Sequence, residues 1–140
     1  MTGRARVGGL VLAAALVVGA VASVAAGSGP RNTKPPLDRT RLRAGPCADA
    51  GAALADSHRR VGDLLAGVAT PAGVADPLTA DQDPLAALSQ DRGAAGPAGD
   101  LVQEIGLLRI GVDAGSYVAS VGADLQAAQH ATEVACGAAT

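Results

Sequence analysis

Apolar and polar positions follow three different patterns along this chain. Residues 7–26, VGGLVLAAALVVGAVASVAA, carry no charge. From Pro46 onward apolar residues recur every seven positions at Cys47, Leu54, Val61 and Val68, with Ala50 and Leu64 between them and Ser57 as the exception. That spacing places one apolar stripe on a helix over residues 46–68. Pro46 suits the first helical position, Asp49 suits the first turn, and Pro71 and Gly73 mark the stop.

The middle of the chain has weaker periodicity. Asp76-Pro77-Leu78-Thr79-Ala80 recurs as Asp83-Pro84-Leu85-Ala86-Ala87. Each Asp-Pro pair reads as a cap followed by proline in the first turn. This predicts one turn after Asp76, a short helix over residues 84–92 that Gly93 stops, and a loop over 93–99. A last helix is expected from Asp100, with Gln103 completing a capping-box-like start, to Cys136, where Gly137 stops it. Its apolar positions change phase along the way. Leu101, Ile105, Leu108 and Val112 form one stripe; Ala114, Val118, Val121, Leu125, Ala128, Thr132 and Ala135 form another. The phase change, with Gly111 and Gly115 flanking it, predicts a kink or break there and Asp113 as a cap for the restart.

The two cysteines give these elements a topology. Cys47 opens the first of these helices and Cys136 closes the last. If the two helices pack antiparallel, both cysteines reach one end, and a bridge closes nearly the whole domain. For a loop of about 90 residues such a bridge stabilises by about 4–5 kcal/mol in the chain-entropy account. Antiparallel neighbours then have residue numbers adding to about 183, which sets Leu54 beside Gln129, Val61 beside Gly122, Val68 beside Gly115 and Tyr117 near Ala66. The expected fold is all-α: a leader helix, then a small antiparallel bundle of two main helices and one short middle helix, tied by Cys47–Cys136.

Residues 1–26 read as a signal peptide or a signal-anchor. Arg4 and Arg6 precede a run of twenty uncharged residues, about the 30 Å that a helix needs to span a bilayer core. The length favours a retained anchor; the small residues at Ala20-Val21-Ala22 and Val24-Ala25-Ala26 favour cleavage. Residues 27–45 read as a Pro-rich basic linker, and 46–140 as the helical domain. Arg31, Lys34, Arg39, Arg41 and Arg43 lie in the linker, where positive-inside counting favours the cytoplasm. An even cysteine count behind an export signal points the other way, to a disulfide and an extracytoplasmic domain with the N-terminus inside.

Composition narrows the function classes. The chain has 140 residues, no Trp, no Phe and one Tyr, so any core is built from small aliphatic side chains and bury little area each. A covalent staple is expected in such a domain. Residues 46–140 hold four basic residues against twelve acidic ones. That sign excludes a phosphate-binding stripe, and the missing aromatics exclude base stacking, so nucleic acid is not an expected partner.

The search for chemistry finds no catalytic constellation, metal set or cofactor motif. His58 and His130 are offset by about 7 Å along the helices, too far for easy joint ligation, and both read as solvated. His130 and Glu133 share a face, yet no third ligand accompanies them. Ser57 adjoins His58 in sequence, but neighbouring helical side chains diverge. The acidic residues read as solvated helix faces. The first functional reading is therefore a non-catalytic exported module that contacts a protein partner at the cell envelope, with membrane attachment through residues 7–26 if they are retained. The second is a carrier of haem or a lipid, with Tyr117, His58 and His130 as possible ligands.

Overall fold

Among the described residues, 29–140 of this computed structural model, every regular element is a helix. The leader at 1–26 lies outside them, and no described helix is long and apolar enough to cross a membrane. The α-helices are α1 (Pro46–Asp49), α2 (Gly51–Leu65), α3 (Pro71–Ala86), α4 (Ala95–Asp113) and α5 (Ala119–Ala135). Short 3-10 turns occupy Arg39–Arg41 and Ala87–Gln90.

The helix expected over 46–68 forms as α1 and α2, joined through Ala50, whose carbonyl still accepts from Leu54 N–H at 2.9 Å. Cys47, Ala50, Leu54, Val61 and Leu64 are buried as the stripe requires. Ser57 is buried with them, because its hydroxyl donates back to the Leu54 carbonyl at 3.1 Å. The helix stops before the expected Pro71, at Gly67, whose φ of 70° suits a residue without Cβ. Val68 falls beyond that stop and is exposed.

The middle region departs most from expectation. One continuous helix, α3, replaces the single turn and the short helix, and Pro77 and Pro84 both lie inside it. Thr70 caps it by accepting from Gly73 N–H at 3.0 Å, with Pro71 in the first turn. Each internal proline removes a helix hydrogen bond at a cost of about 3 kcal/mol. The carbonyls left without a donor belong to Gly73 and Ala80, four residues earlier, and both residues are exposed. The opposite side buries Val74, Ala75, Leu78 and Leu85, a stripe that runs across both prolines. Burial of that face holds the helix together where local preference would divide it.

α4 starts five residues before Asp100. Asp91 sets that start: its Oδ1 accepts from Gly93 N–H and Ala94 N–H at 3.0 Å, and its carbonyl accepts from Ala95 N–H at 2.8 Å. Leu101, Ile105 and Leu108 are buried and Val112 half-buried, as the first stripe predicts. The break falls at residues 114–118, but Asp113 is the last residue of α4 and caps nothing; Val118 precedes α5. In α5, Leu125, Ala128 and Thr132 are buried, while Ala114 and Val118 are exposed.

The result is a bundle of four long helices, α2 to α5, rather than two. Each packs against the next, and α5 packs back on α2. Cross-helix contacts fix opposite directions: Arg109 meets Asp76 and Gln82 Nε2 donates to the Val102 carbonyl across α3 and α4. Cys47 and Cys136 are disulfide-bonded, fully buried, with Cα atoms 5.5 Å apart and 89 positions apart in sequence. The bridge closes the base of the bundle; the turns 66–70 and 114–118 form the tip. Gln129 does meet Leu54, its Nε2 donating to the Leu54 carbonyl at 3.3 Å. Gly122, however, faces Leu65 rather than Val61. The bridge lies in α1 and one residue beyond α5, so it does not set the register of the long helices, which slide by one turn.

Candidate functional site

The Pro-rich segment is not a free tether. Residues Arg31–Thr140 form one compact unit, and the chain from Asn32 to Arg43 runs as a strap along α2 from tip to base. Asn32 Nδ2 donates to Asp63 Oδ1 at 3.0 Å and to the Arg59 carbonyl at 3.3 Å, at the last turn of α2. Leu37 packs on the core, and Asp38 caps the 3-10 turn by accepting from the Thr40 hydroxyl and the Thr40 N–H, which together hold its carboxyl below the usual range. Leu42 is buried over Gly51. Arg43 ends the strap at the base: its guanidinium donates to the Ala135 carbonyl and to Asp91 Oδ1, and its N–H donates to the Cys136 carbonyl at 2.9 Å. The Arg43 hydrogen bond holds the Asp91 carboxyl below its ordinary value.

Under the strap lies a polar cluster that crosses the core. His58 is buried, not solvated. Its Nδ1 is 2.6 Å from Glu133 Oε1 on α5, and its Nε2 is 2.9 Å from the Pro35 carbonyl of the strap. Both ring nitrogens thus have an oxygen partner, one across the bundle and one on the strap. Glu133 is buried too, and its Oε1 also accepts from Gln129 Nε2 at 2.9 Å, which suits a carboxylate. Two clefts flank the strap at this point. One, of ≈ 550 Å³, lies between Asn32, Lys34, Leu37, Asp56 and His58. The other, of ≈ 390 Å³, lies between Arg41, His58, Gln126, His130 and Glu133.

Also on α2, Asp56 accepts from Arg59 at 3.1 Å and from Arg60 at 2.9 Å. Across from it on α3, Asp81 has a buried Oδ2 with no hydrogen-bond donor. Burial first, and then the Asp56 carboxyl beside it, push Asp81 up to about 7. Burial also opposes ionisation of Asp56, but the Asp81 hydrogen bond and Arg60 outweigh it and hold Asp56 below its usual value. Burial and the neighbouring Asp56 charge thus favour the protonated form of Asp81.

The residues singled out in the sequence separate into different places. Cys47 and Cys136 meet at the base. His58 sits under the strap, paired to a glutamate that the sequence places next to His130 instead. His130 is exposed at the edge of the second cleft. Tyr117 is at the tip, over Gly111 and Gly122; its hydroxyl oxygen is 2.7 Å from where a Cβ on residue 122 would be, so a side chain there has to displace the ring. Among the described residues no three His, Cys, Asp or Glu side chains are grouped to hold a metal ion. Comparison with known proteins finds no matching family model, curated protein or solved structure.

Proposed function

We propose that this chain is an exported, non-catalytic helical module that works by contact with a protein partner at the cell envelope. The observation that carries this reading is the buried Cys47–Cys136 bridge, which joins the first and last helices of the domain. Such bridges persist in oxidising compartments, and the leader at residues 7–26 supplies a route there. The polar groups in the core support the same reading. His58, Glu133 and Gln129 bond to one another and to backbone carbonyls, and Asp91 bonds to a turn and to Arg43. They hold helices and strap together and present no free nucleophile beside a base. The haem or lipid carrier has less support, because an iron ligated by His58 has to displace Glu133 or Pro35 from the ring, and Tyr117 lies on a different part of the surface.

Lys34 gives the test. It is the only lysine in the chain, and it is exposed on the strap. A membrane-impermeant amine reagent applied to intact cells that make the protein is expected to modify Lys34, as read by peptide mapping. Modification only after the cells are lysed would contradict export.

A further inference from the structure

The two partners of His58 ask for more protons than a neutral ring carries. Its Nε2 lies 2.9 Å from the Pro35 carbonyl, and its Nδ1 lies 2.6 Å from Glu133 Oε1. A peptide carbonyl only accepts, and so does a carboxylate. The same Glu133 oxygen already takes a hydrogen bond from Gln129 Nε2. A neutral imidazole has one N–H and satisfies one of the two oxygens, not both. Closure of both contacts therefore needs one further proton between Nδ1 and Oε1, on whichever of those atoms it resides.

We infer that the strap is a proton-controlled latch: residues 32–37 lie closed over the groove between α2 and α5 while the His58–Glu133 pair holds that further proton, and lift when the pair loses it. Loss of the proton leaves one N–H for two acceptors, and the costs of the two choices differ. The His58 and Glu133 side chains are 10% and 4% exposed, so a carboxylate facing a bare ring nitrogen there has no water to turn to. Pro35 is exposed, and its carbonyl can exchange the ring for water. The single N–H goes to Glu133, and the strap loses its middle contact. What remains on this stretch is the Asn32 amide on Asp63 and the packing of Leu37. Leu42 is buried and the Arg43 N–H is bonded to the Cys136 carbonyl, so the strap stays fixed at its base end. The two clefts beside the strap share Lys34, Pro36, Leu37 and His58, and they join into one groove when it lifts.

The other charged groups around the ring are engaged elsewhere or point to solvent. On the strap, Asp38 is bonded to Thr40, and Lys34 and Arg41 are exposed. On α2, Asp56 and Asp63 are paired with Arg59. On α3, Asp81 acts on Asp56 and not on the ring. On α5, His130 is a second imidazole, exposed at the edge of the same cleft, and its replacement is the control.

The test uses the full chain with 15N-labelled histidine, followed between pH 5 and 8, the range in which imidazoles titrate. Ring nitrogen shifts report whether Nε2 of His58 carries a proton. Hydrogen exchange over residues 33–42, taken relative to the intrinsic rate at each pH, reports the strap. Nε2 is expected to be protonated at the acid end and bare at the alkaline end. Strap protection is expected to fall with it by about five-fold, the equivalent of one hydrogen bond, while the Arg43 amide is unchanged. Glu133→Gln supplies the donor that a carboxylate lacks: its amide N–H bonds Nδ1 while the Nε2 proton stays on Pro35. That variant is expected to keep the strap closed through the whole range, and His130→Gln is expected to open as the wild type does. Constant protonation of Nε2 would overturn the inference, as would strap protection that stays level while Nε2 loses its proton. A Glu133→Gln variant that opens over the same range as the wild type would overturn it too. If that variant does not fold, the wild-type titration decides by itself.

Discussion

The base and the tip of this bundle are built on opposite principles. At the base a disulfide, the Arg43 guanidinium, the Asp91 turn and the end of the strap converge, and the cysteines are wholly buried. At the tip two turns close without a disulfide, and valine, leucine and isoleucine side chains face outward. A domain poor in large side chains cannot draw much stability from burial alone. It concentrates covalent and polar restraints at one end, which leaves the other end free to carry apolar groups that the fold does not need.

The strongest way to break that contrast is to cut the bridge. Replacing both cysteines, Cys47→Ser with Cys136→Ser, is expected to cost about 4–5 kcal/mol in urea unfolding, the chain-entropy value for a loop of this length. A loss below about 1 kcal/mol would mean that the base is not the restraint described here. Next comes the cluster beneath the strap. Glu133→Ala strands a buried imidazole and the Gln129 amide and is expected to cost about 3 kcal/mol. Hydrogen exchange on that variant is expected to show the strap around Pro35 and the neighbouring turn of α2 opening before the base does.

A smaller effect comes from the carboxyl pair between the ends. Asp81 holds its proton up to about pH 7 in the folded protein, against an ordinary value of 3.8. Between those values the folded state binds the extra proton, so this contribution is complete below about pH 4 and is lost as the pH rises through about 7. The carboxyl is only partly buried, so solvent screening reduces the effect to the order of 1 kcal/mol. Asp81→Asn is expected to flatten this slope in denaturant titrations between pH 4 and 8; a parallel slope in the variant would place the proton elsewhere. The smallest stability effect belongs to the tip. Ile110→Ser with Val118→Ser is expected to change unfolding free energy by less than about 0.5 kcal/mol. A large stability loss would show that the tip supports the fold after all.

Much of the architecture was legible in the residues, and the reasons for the rest are specific. The heptad from Cys47 to Leu64 and the stripe Leu101, Ile105, Leu108 needed only periodicity, and all of these residues except the intervening Ser57 are apolar. The bridge followed from two cysteines at the two ends of a helical domain. The middle helix was hidden because Asp76-Pro77 and Asp83-Pro84 are good local starts, whereas the stripe Val74, Leu78, Leu85 that overrides them is sparse. Asp91 as the start of α4 was masked by the better-looking Asp100, which lies within the helix. The strap was hidden by its composition: proline and arginine suggest solvation, but its anchors are a backbone carbonyl at Pro35, one Asn amide and two leucines. His58 lies next to Ser57 on the buried face, and that adjacency was its one available signal. Glu133 was matched with His130 because they are neighbours on one helix, and the true partner comes from across the bundle once the helices slide by a turn.

Intact mass of the full-length gene product, recovered from separated membrane and medium fractions and alkylated with and without prior reduction, tests the central claim most directly. The account predicts protein, held in the membrane or released into the medium, that takes up two alkyl groups only after reduction. Membrane-bound protein whose Cys47 and Cys136 alkylate without reduction would place the domain in the cytoplasm. That result would contradict both the base as a covalent restraint and the envelope as the site of action.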